Sequence, residues 1–156
     1  MYTEFLRLAR LINTQLSVCP LLYGSLGLER RLQKSLNADD IDVLLPQKCL
    51  TEEWALLKAL MEREGYRLTD EHEHAFTRGG VTVAFAVLES LTGFAGVEPD
   101  GIPFLEEEGA KYRLPGLNDY LKVYEASLKD SYRKDVKNKQ DQIKIDLIKE
   151  ALSVKG

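Results

Sequence analysis

The sequence predicts an α/β (α+β) fold, a mixed sheet flanked by helices and closed by C-terminal helices. Three observations predict it. Apolar residues recur at helical spacing near both ends of the chain, at Phe5, Leu8, Ile12 and Leu16 and again at Ile143, Leu147 and Ala151. A short apolar strand, Leu21 to Tyr23, runs into Gly24-Ser25-Leu26-Gly27 and then a helix-forming segment. The pair Gly79-Gly80 opens the β-branched run Val81 to Leu88, which reads as the second arm of an antiparallel hairpin.

The elements follow in order. A first helix covers about Thr3 to Ser17, its apolar stripe facing the core, and Pro20 marks the switch to extended chain. After the glycine turn, Leu28 to Leu36 form a helix with basic residues on its outer side. Asn37-Ala38-Asp39-Asp40 breaks it, and Ile41, Val43, Leu44 and Leu45 make an apolar strand that begins with acids and stops at Pro46. Thr51 with Glu52 and Glu53 reads as a helix start, its acids complementing the macrodipole, and Trp54, Leu57 and Met61 continue one face to Gly65. Tyr66 to Leu68 and Ala75 to Thr77 are short strands; Ser90 to Pro103 reads as a loop, with Ile102 to Leu105 a short edge strand. Past Pro115-Gly116, the spacing of Leu117, Leu121, Tyr124 and Leu128 gives a helix, joined to the last one by a charged segment.

The 156 residues, 44% hydrophobic, suit one domain over 1–156 with a single core. A formal net charge of −4 disfavours a nucleic-acid polymer as partner, while basic residues at Arg30, Arg31 and Lys34 and from Lys129 to Lys144 leave small anions such as nucleotides open. Cys19 and Cys49 lack the paired spacing of a zinc or redox motif and read as idle thiols. The N-terminus carries Glu4 and Arg7 inside an amphipathic pattern, and no apolar run reaches the ~20 residues of a membrane helix. A soluble cytoplasmic protein without a membrane partner is the expectation.

Chemistry concentrates in Tyr23-Gly24-Ser25-Leu26-Gly27 and, after the basic helix, Asp39-Asp40-Ile41-Asp42. Gly24 lets backbone approach a ligand, Ser25 offers a hydroxyl, and a helix N-terminus presents N–H groups to a phosphate. Asp40 and Asp42, two apart on a strand, project from one face and can converge on magnesium. These expectations place Gly24 and Ser25 at a turn opening onto a cleft whose opposite wall carries the two aspartates. The pattern resembles the nucleotidyltransferase superfamily of the polymerase-beta-like fold, and is most similar to small bacterial enzymes that modify lincosamides or aminoglycosides. The resemblance implies that Gly24-Ser25 holds the phosphates of a nucleoside triphosphate and that Asp40 and Asp42 are catalytic ligands of magnesium. Lys134-Asp135 and Lys139 to Ile143 are also similar to the closing helix of bacterial members, where Lys139 could reach a phosphate.

One position departs from the family pattern. The family's third carboxylate lies on a neighbouring strand between apolar residues, a pattern matched by Val83-Ala84-Phe85, so Ala84 stands where an aspartate is expected. That change bears on catalysis more than on nucleotide binding. Glu89 lies just beyond the strand as an alternative acid, although five residues on it points to the other face. The alternation Val81, Val83, Phe85, Val87 buries one side and turns Thr82, Ala84 and Ala86 toward the cleft. His72 and His74 share a strand face but lack a third ligand of fixed spacing, so a solvated turn is the simpler reading. Tyr112, Tyr120, Tyr124 and Tyr132 read as packing residues with polar tips, and the lysines and acids from Lys129 to Asp146 as a solvated helix face with pairs such as Asp135 with Lys139. Two functions follow: nucleotidyl transfer from a triphosphate to a small-molecule hydroxyl with magnesium, or a catalytically impaired relative serving as a nucleotide-binding or protein-interaction module. The acceptor, the base and the oligomeric state, a homodimer included, stay open.

Overall fold

The computed structural model describes residues 1–130 and 135–155, with side chains described for 1–130 and 139–154. Tyr132, Lys134 and the side chain of Asp135 therefore lie outside the described residues. Helix α1 (Tyr2–Gln15) leads to β1 (Leu21–Tyr23), α2 (Gly24–Leu32) and β2 (Asp40–Leu45). Next come α3 (Gln47–Leu50), α4 (Trp54–Arg63), the strands β3 (Arg67–Asp70), β4 (Ala75–Arg78) and β5 (Val81–Val87), and α5 (Ser90–Ala95). A 3-10 turn (Pro99–Gly101), β6 (Phe104–Glu107), β7 (Ala110–Arg113), α6 (Leu117–Asp130) and α7 (Asp135–Lys155) complete the chain.

The strands form one mixed seven-stranded sheet in the order β3-β4-β5-β2-β1-β7-β6. β2 runs antiparallel to β1 and parallel to β5, so the sheet's centre combines both pairing types. Burial on both faces explains the continuous apolar run of β2. Ile41, Val43 and Leu45 enter the main core with Phe5, Leu57, Phe76, Phe85 and Tyr112, while Leu44 joins a smaller cluster with Leu21, Leu91, Val97, Ile102 and Val123. Burying each large apolar side chain contributes about 1.5–3 kcal/mol.

Several boundaries differ from the sequence reading, for local reasons. The second helix starts at Gly24, directly after β1, and stops at Gln33, whose left-handed φ of 56° ends it before the predicted Leu36. Pro46 starts the one-turn helix α3, and Thr51, with φ −122° and ψ −92°, breaks the chain so that α4 begins only at Trp54. The segment read as a loop from Ser90 holds α5, too short for an apolar period to show, and the 3-10 turn. Strand β7 was not foreseen, although Ala110 and Tyr112 are buried and alternate with Lys111 and Arg113. Its Tyr112 packs edge-on against Phe5, with ring centroids 5.1 Å apart, fixing α1 to the sheet.

Gly27, read as part of a turn, lies inside α2, where a Cβ would collide with the Tyr120 hydroxyl. That hydroxyl donates to the Leu22 carbonyl at 3.0 Å, so the glycine lets α6 seat against the β1–α2 junction.

Candidate functional site

Antiparallel pairing of β1 with β2 brings Tyr23 opposite Asp42, which puts Gly24 beside that aspartate. Gly24 has φ +68°, and a Cβ there would collide with Asp42 Oδ2. The glycine turn and the aspartates are thus neighbours on one wall, and the expectation that they face each other across the cleft is corrected. The physical reason is register: the end of β1 lies alongside the start of β2. The opposite wall comes from α6 and α7, through Tyr124, Ser127, Asp141 and Lys144.

Between these walls lies a cavity of about 750 Å³ lined by Gly24, Ser25, Asp42 and Ala84. Asp40 lines an adjoining cavity of about 400 Å³, and Ser25, Asp42, Gln140 and Lys144 border both. Asp40 is exposed and Asp42 half-buried. Burial, with Asp40 adding repulsion and Lys144 opposing, pushes the Asp42 carboxyl up to about 6. Burial also raises Asp40, with Asp39 adding to it. Tyr23, half-buried beside Asp42, is pushed up to about 12 by burial, with Asp42 adding to it.

No side chain caps the N-terminus of α2, so its first N–H groups face the cleft without an intrahelical partner. Tyr124, whose phenol is raised chiefly by burial, lines the cleft together with Ser25. Tyr124 thus combines the packing role read from the sequence, stacked on Tyr120 with centroids 6.2 Å apart, with a place on the cleft wall.

Ala84 is the register partner of Asp42 across the parallel β2–β5 pair and lines the same cavity. Glu89 lies past the far end of β5, and its Oε1 accepts a 2.9 Å hydrogen bond from the Gln47 N–H at the start of α3. It lines neither cavity that holds an aspartate. Lys139 is exposed and borders neither of them. The inward face of α7 carries Gln140, Asp141 and Lys144, and helical geometry turns Lys139 away from it. Lys144 is the lysine that this helix brings to the site, its Nζ 5.1 Å from the Tyr124 ring centre.

Asp141 departs from the solvated helix face expected over Lys129 to Asp146. It is 4% exposed and accepts a 2.8 Å hydrogen bond from the Ser127 hydroxyl. Its position four residues before Ile145 and seven before Ile148, both buried, is the signal that marks it as inward-facing. His74 packs edge-on against Trp54 at 4.8 Å, and His72 is exposed. Among the described residues no group of three or more His, Cys, Asp or Glu is placed to hold a metal by itself, and no helix is long and apolar enough to cross a membrane.

No protein-family model matches the chain. The uncharacterized protein YnaI of Bacillus subtilis (strain 168) is 42% identical over 148 residues, 95% of each chain. Among solved structures, a nucleotidyltransferase-like antigenic protein of Paracoccidioides brasiliensis superposes with a TM-score of 0.64 at 16% identity, covering 94% of this chain and 73% of that one. The antibiotic-resistance factor ANT(2'')-Ia superposes with a TM-score of 0.56 at 16% identity, over 99% of this chain and 92% of that one. Its complex with adenylyl-2''-tobramycin gives 0.55 at 15% identity, over 97% and 90%. The chain therefore belongs to the family of YnaI and has the fold of the nucleotidyltransferase superfamily.

Proposed function

We propose that the protein transfers a nucleoside monophosphate from a triphosphate to the hydroxyl of a small molecule, with magnesium accompanying the nucleotide. The observation that carries this reading is the Asp42 carboxylate, held in a cleft against Gly24 and raised to about 6 by burial and by Asp40. A carboxylate so placed gains most from a cation. Two carboxylates suit magnesium, which typically binds through one or two of them together with substrate phosphates and water. Asp40 and Asp42 would hold it; when bound, it supplies charge stabilisation for in-line displacement at the α-phosphorus.

The chain's own groups do the rest. The uncapped start of α2 receives phosphate oxygens on its N–H groups, and Gly24 permits their approach. The Ser25 hydroxyl donates to a phosphate oxygen, and Lys144 adds positive charge from the opposite wall. The acceptor oxygen bonds to the α-phosphorus as the bond to the β-phosphate oxygen breaks, pyrophosphate leaves, and the acceptor's proton passes to solvent water. Ala84 supplies no group to take the acceptor's proton, so turnover slower than in a three-carboxylate site is expected.

The second reading, a nucleotide-binding module without turnover, is favoured by that same alanine. The two share a test of binding. Magnesium–ATP raises the melting temperature of the wild type by linkage and not that of Asp42→Asn. A wild type unmoved at millimolar magnesium–ATP removes both readings. Transfer of label from α-labelled ATP to a hydroxyl compound then separates enzyme from module. Cytoplasmic localisation and the homodimer are likewise proposals; gel filtration tests the dimer.

A further inference from the structure

On the flank of the cleft away from Asp40 lies a third cavity, of about 330 Å³. Its walls are mostly hydrocarbon, from Leu44, Leu50, Val87 and Leu91. It adjoins the cleft, and Tyr23, Glu73, Phe85, Ala86 and Phe94 line both. The β3–β4 turn roofs the junction: the Phe85 N–H donates to the His74 carbonyl at 3.2 Å, and Ala75 pairs with Ala84. That pairing sets Glu73 close to the strand position where the third carboxylate is missing. Phe94 is 42% exposed, a large aromatic at the mouth with its ring free for a ligand to cover.

The geometry points to this apolar cavity as the acceptor subsite, taking a hydroxylated molecule with an uncharged aromatic or aliphatic body. This inference rests on the nucleotidyl-transfer reading. The cavity is of ligand size, since small-molecule sites start near ~300 Å³ and are mostly apolar with a few polar groups fixing orientation. A body seated among Leu44, Leu50 and Leu91 sends its hydroxyl out past Glu73 and Ala86 toward the space over Ala84, alongside Asp42. Glu73 accepts the hydroxyl's hydrogen bond at the junction. A polycationic sugar is excluded, because several ammonium groups would lose water against hydrocarbon with one carboxylate to offset it. The side chains at Ala84 and Ala86 are small, which leaves the passage open.

The test uses 2-naphthol as probe and tobramycin as the polycationic comparison, both titrated by calorimetry into the full chain with magnesium and a non-hydrolysable ATP analogue. Ser90→Phe fills the apolar cavity from an exposed position that lines neither nucleotide-side cavity, and Ser90→Leu does so with a smaller side chain. Naphthol is expected to bind the wild type and to weaken at least tenfold in whichever variant keeps the wild-type circular dichroism. The magnesium–nucleotide melting shift is expected to stay unchanged in that variant. Tobramycin is expected to show no binding that Ser90→Phe alters. Absence of naphthol binding, equal binding by wild type and folded variant, or tobramycin binding lost in Ser90→Phe each overturns the inference. Variant-sensitive naphthol binding without any magnesium–nucleotide shift overturns the nucleotidyl-transfer reading and the acceptor role with it. An intact shift with no naphthol binding overturns the acceptor class alone.

Discussion

Two partly buried carboxylates, Glu4 and Asp42, have opposite proton affinities. Glu4 accepts two hydrogen bonds from Arg7, at 2.9 and 2.8 Å, and others from Tyr66 and Arg78. The Arg7 hydrogen bonds hold its carboxyl below the usual carboxylate range, against the opposing effect of burial. Asp42 has burial as the leading influence and a second acid beside it, and it moves the other way. The first group ties α1 to the α4–β3 turn and to β4. The second is kept against Gly24 at the edge of an open cleft, where its charge is a cost to folding that a cation would remove. A satisfied carboxylate belongs to the architecture; an unsatisfied one marks a site.

The largest effect is expected at Gly24, where both halves of this contrast meet. Gly24→Ala brings a methyl into Asp42 Oδ2 and forces an L-residue to a φ of +68°. A loss of about 1–3 kcal/mol by urea unfolding is expected, together with loss of the magnesium–ATP melting shift. Alanine tolerated on both counts would mean that the close approach of backbone to Asp42 is incidental.

Next come the two acids themselves, with opposite signs. Glu4→Gln removes the charge that organises Arg7, Tyr66 and Arg78, and a loss of about 1–3 kcal/mol is expected. Asp42→Asn removes the cost of a buried charge and leaves the ligand-free protein as stable or more stable near pH 8. The pH dependence follows from the direction of each shift. Asp42 has a folded-state pKa raised from 3.8 to about 6, so the folded protein binds the extra proton between those values. Its contribution to stability is present at low pH and is lost as pH rises through about 6, by on the order of 3 kcal/mol. Glu4, lowered when folded, contributes stability above its unfolded pKa and loses it as pH falls through the folded value. Urea unfolding of wild type against Asp42→Asn from pH 4 to 8 isolates the first slope, and a flat difference would show that Asp42 is better solvated than its position implies. The same proton competes with a cation, so the magnesium–ATP shift should shrink below about pH 6.

How far all this was legible varies with the physics behind each feature. Central strand β2 and the Gly-Ser and Asp-x-Asp positions could be read because their signals are local: an apolar run, a glycine after a strand, acids two apart. The placement of Ala84 beside Asp42 rests on the family resemblance, with period-two alternation turning it toward the cleft, and agrees with the register of β2 and β5. The far wall was much less legible. Which lysine of α7 faces the cleft depends on how that helix is rotated against α6, and a charged, weakly periodic helix does not fix its own rotation. Lys139 was chosen by resemblance, while packing of Ile145 and Ile148 turns Lys144 and Asp141 inward. Strand β7 and helix α5 were too short for a period to outweigh their polar and glycine neighbours.

The smallest expected effect tests what the comparison implies for the missing third carboxylate. Ala84 is half-buried, pairs with Asp42 and lines the cleft, so Ala84→Asp adds an acid on the face that already carries the unsatisfied one. Without a cation this acid behaves as Asp42 does: it is desolvated, repelled by its neighbour, and lowers stability near pH 8 by on the order of 1 kcal/mol. With magnesium and nucleotide the sign reverses if the face is a cation site, and a severalfold gain in magnesium affinity by calorimetry is expected, with faster transfer from α-labelled ATP. Ala84→Asn, which adds similar bulk without charge, should reproduce none of the gain. A folded Ala84→Asp protein whose magnesium affinity matches that of Ala84→Asn would remove the strand position as a determinant of the proposed transfer. The proton acceptor would then be sought at Glu73, the carboxylate that the β3–β4 turn brings to the same cleft.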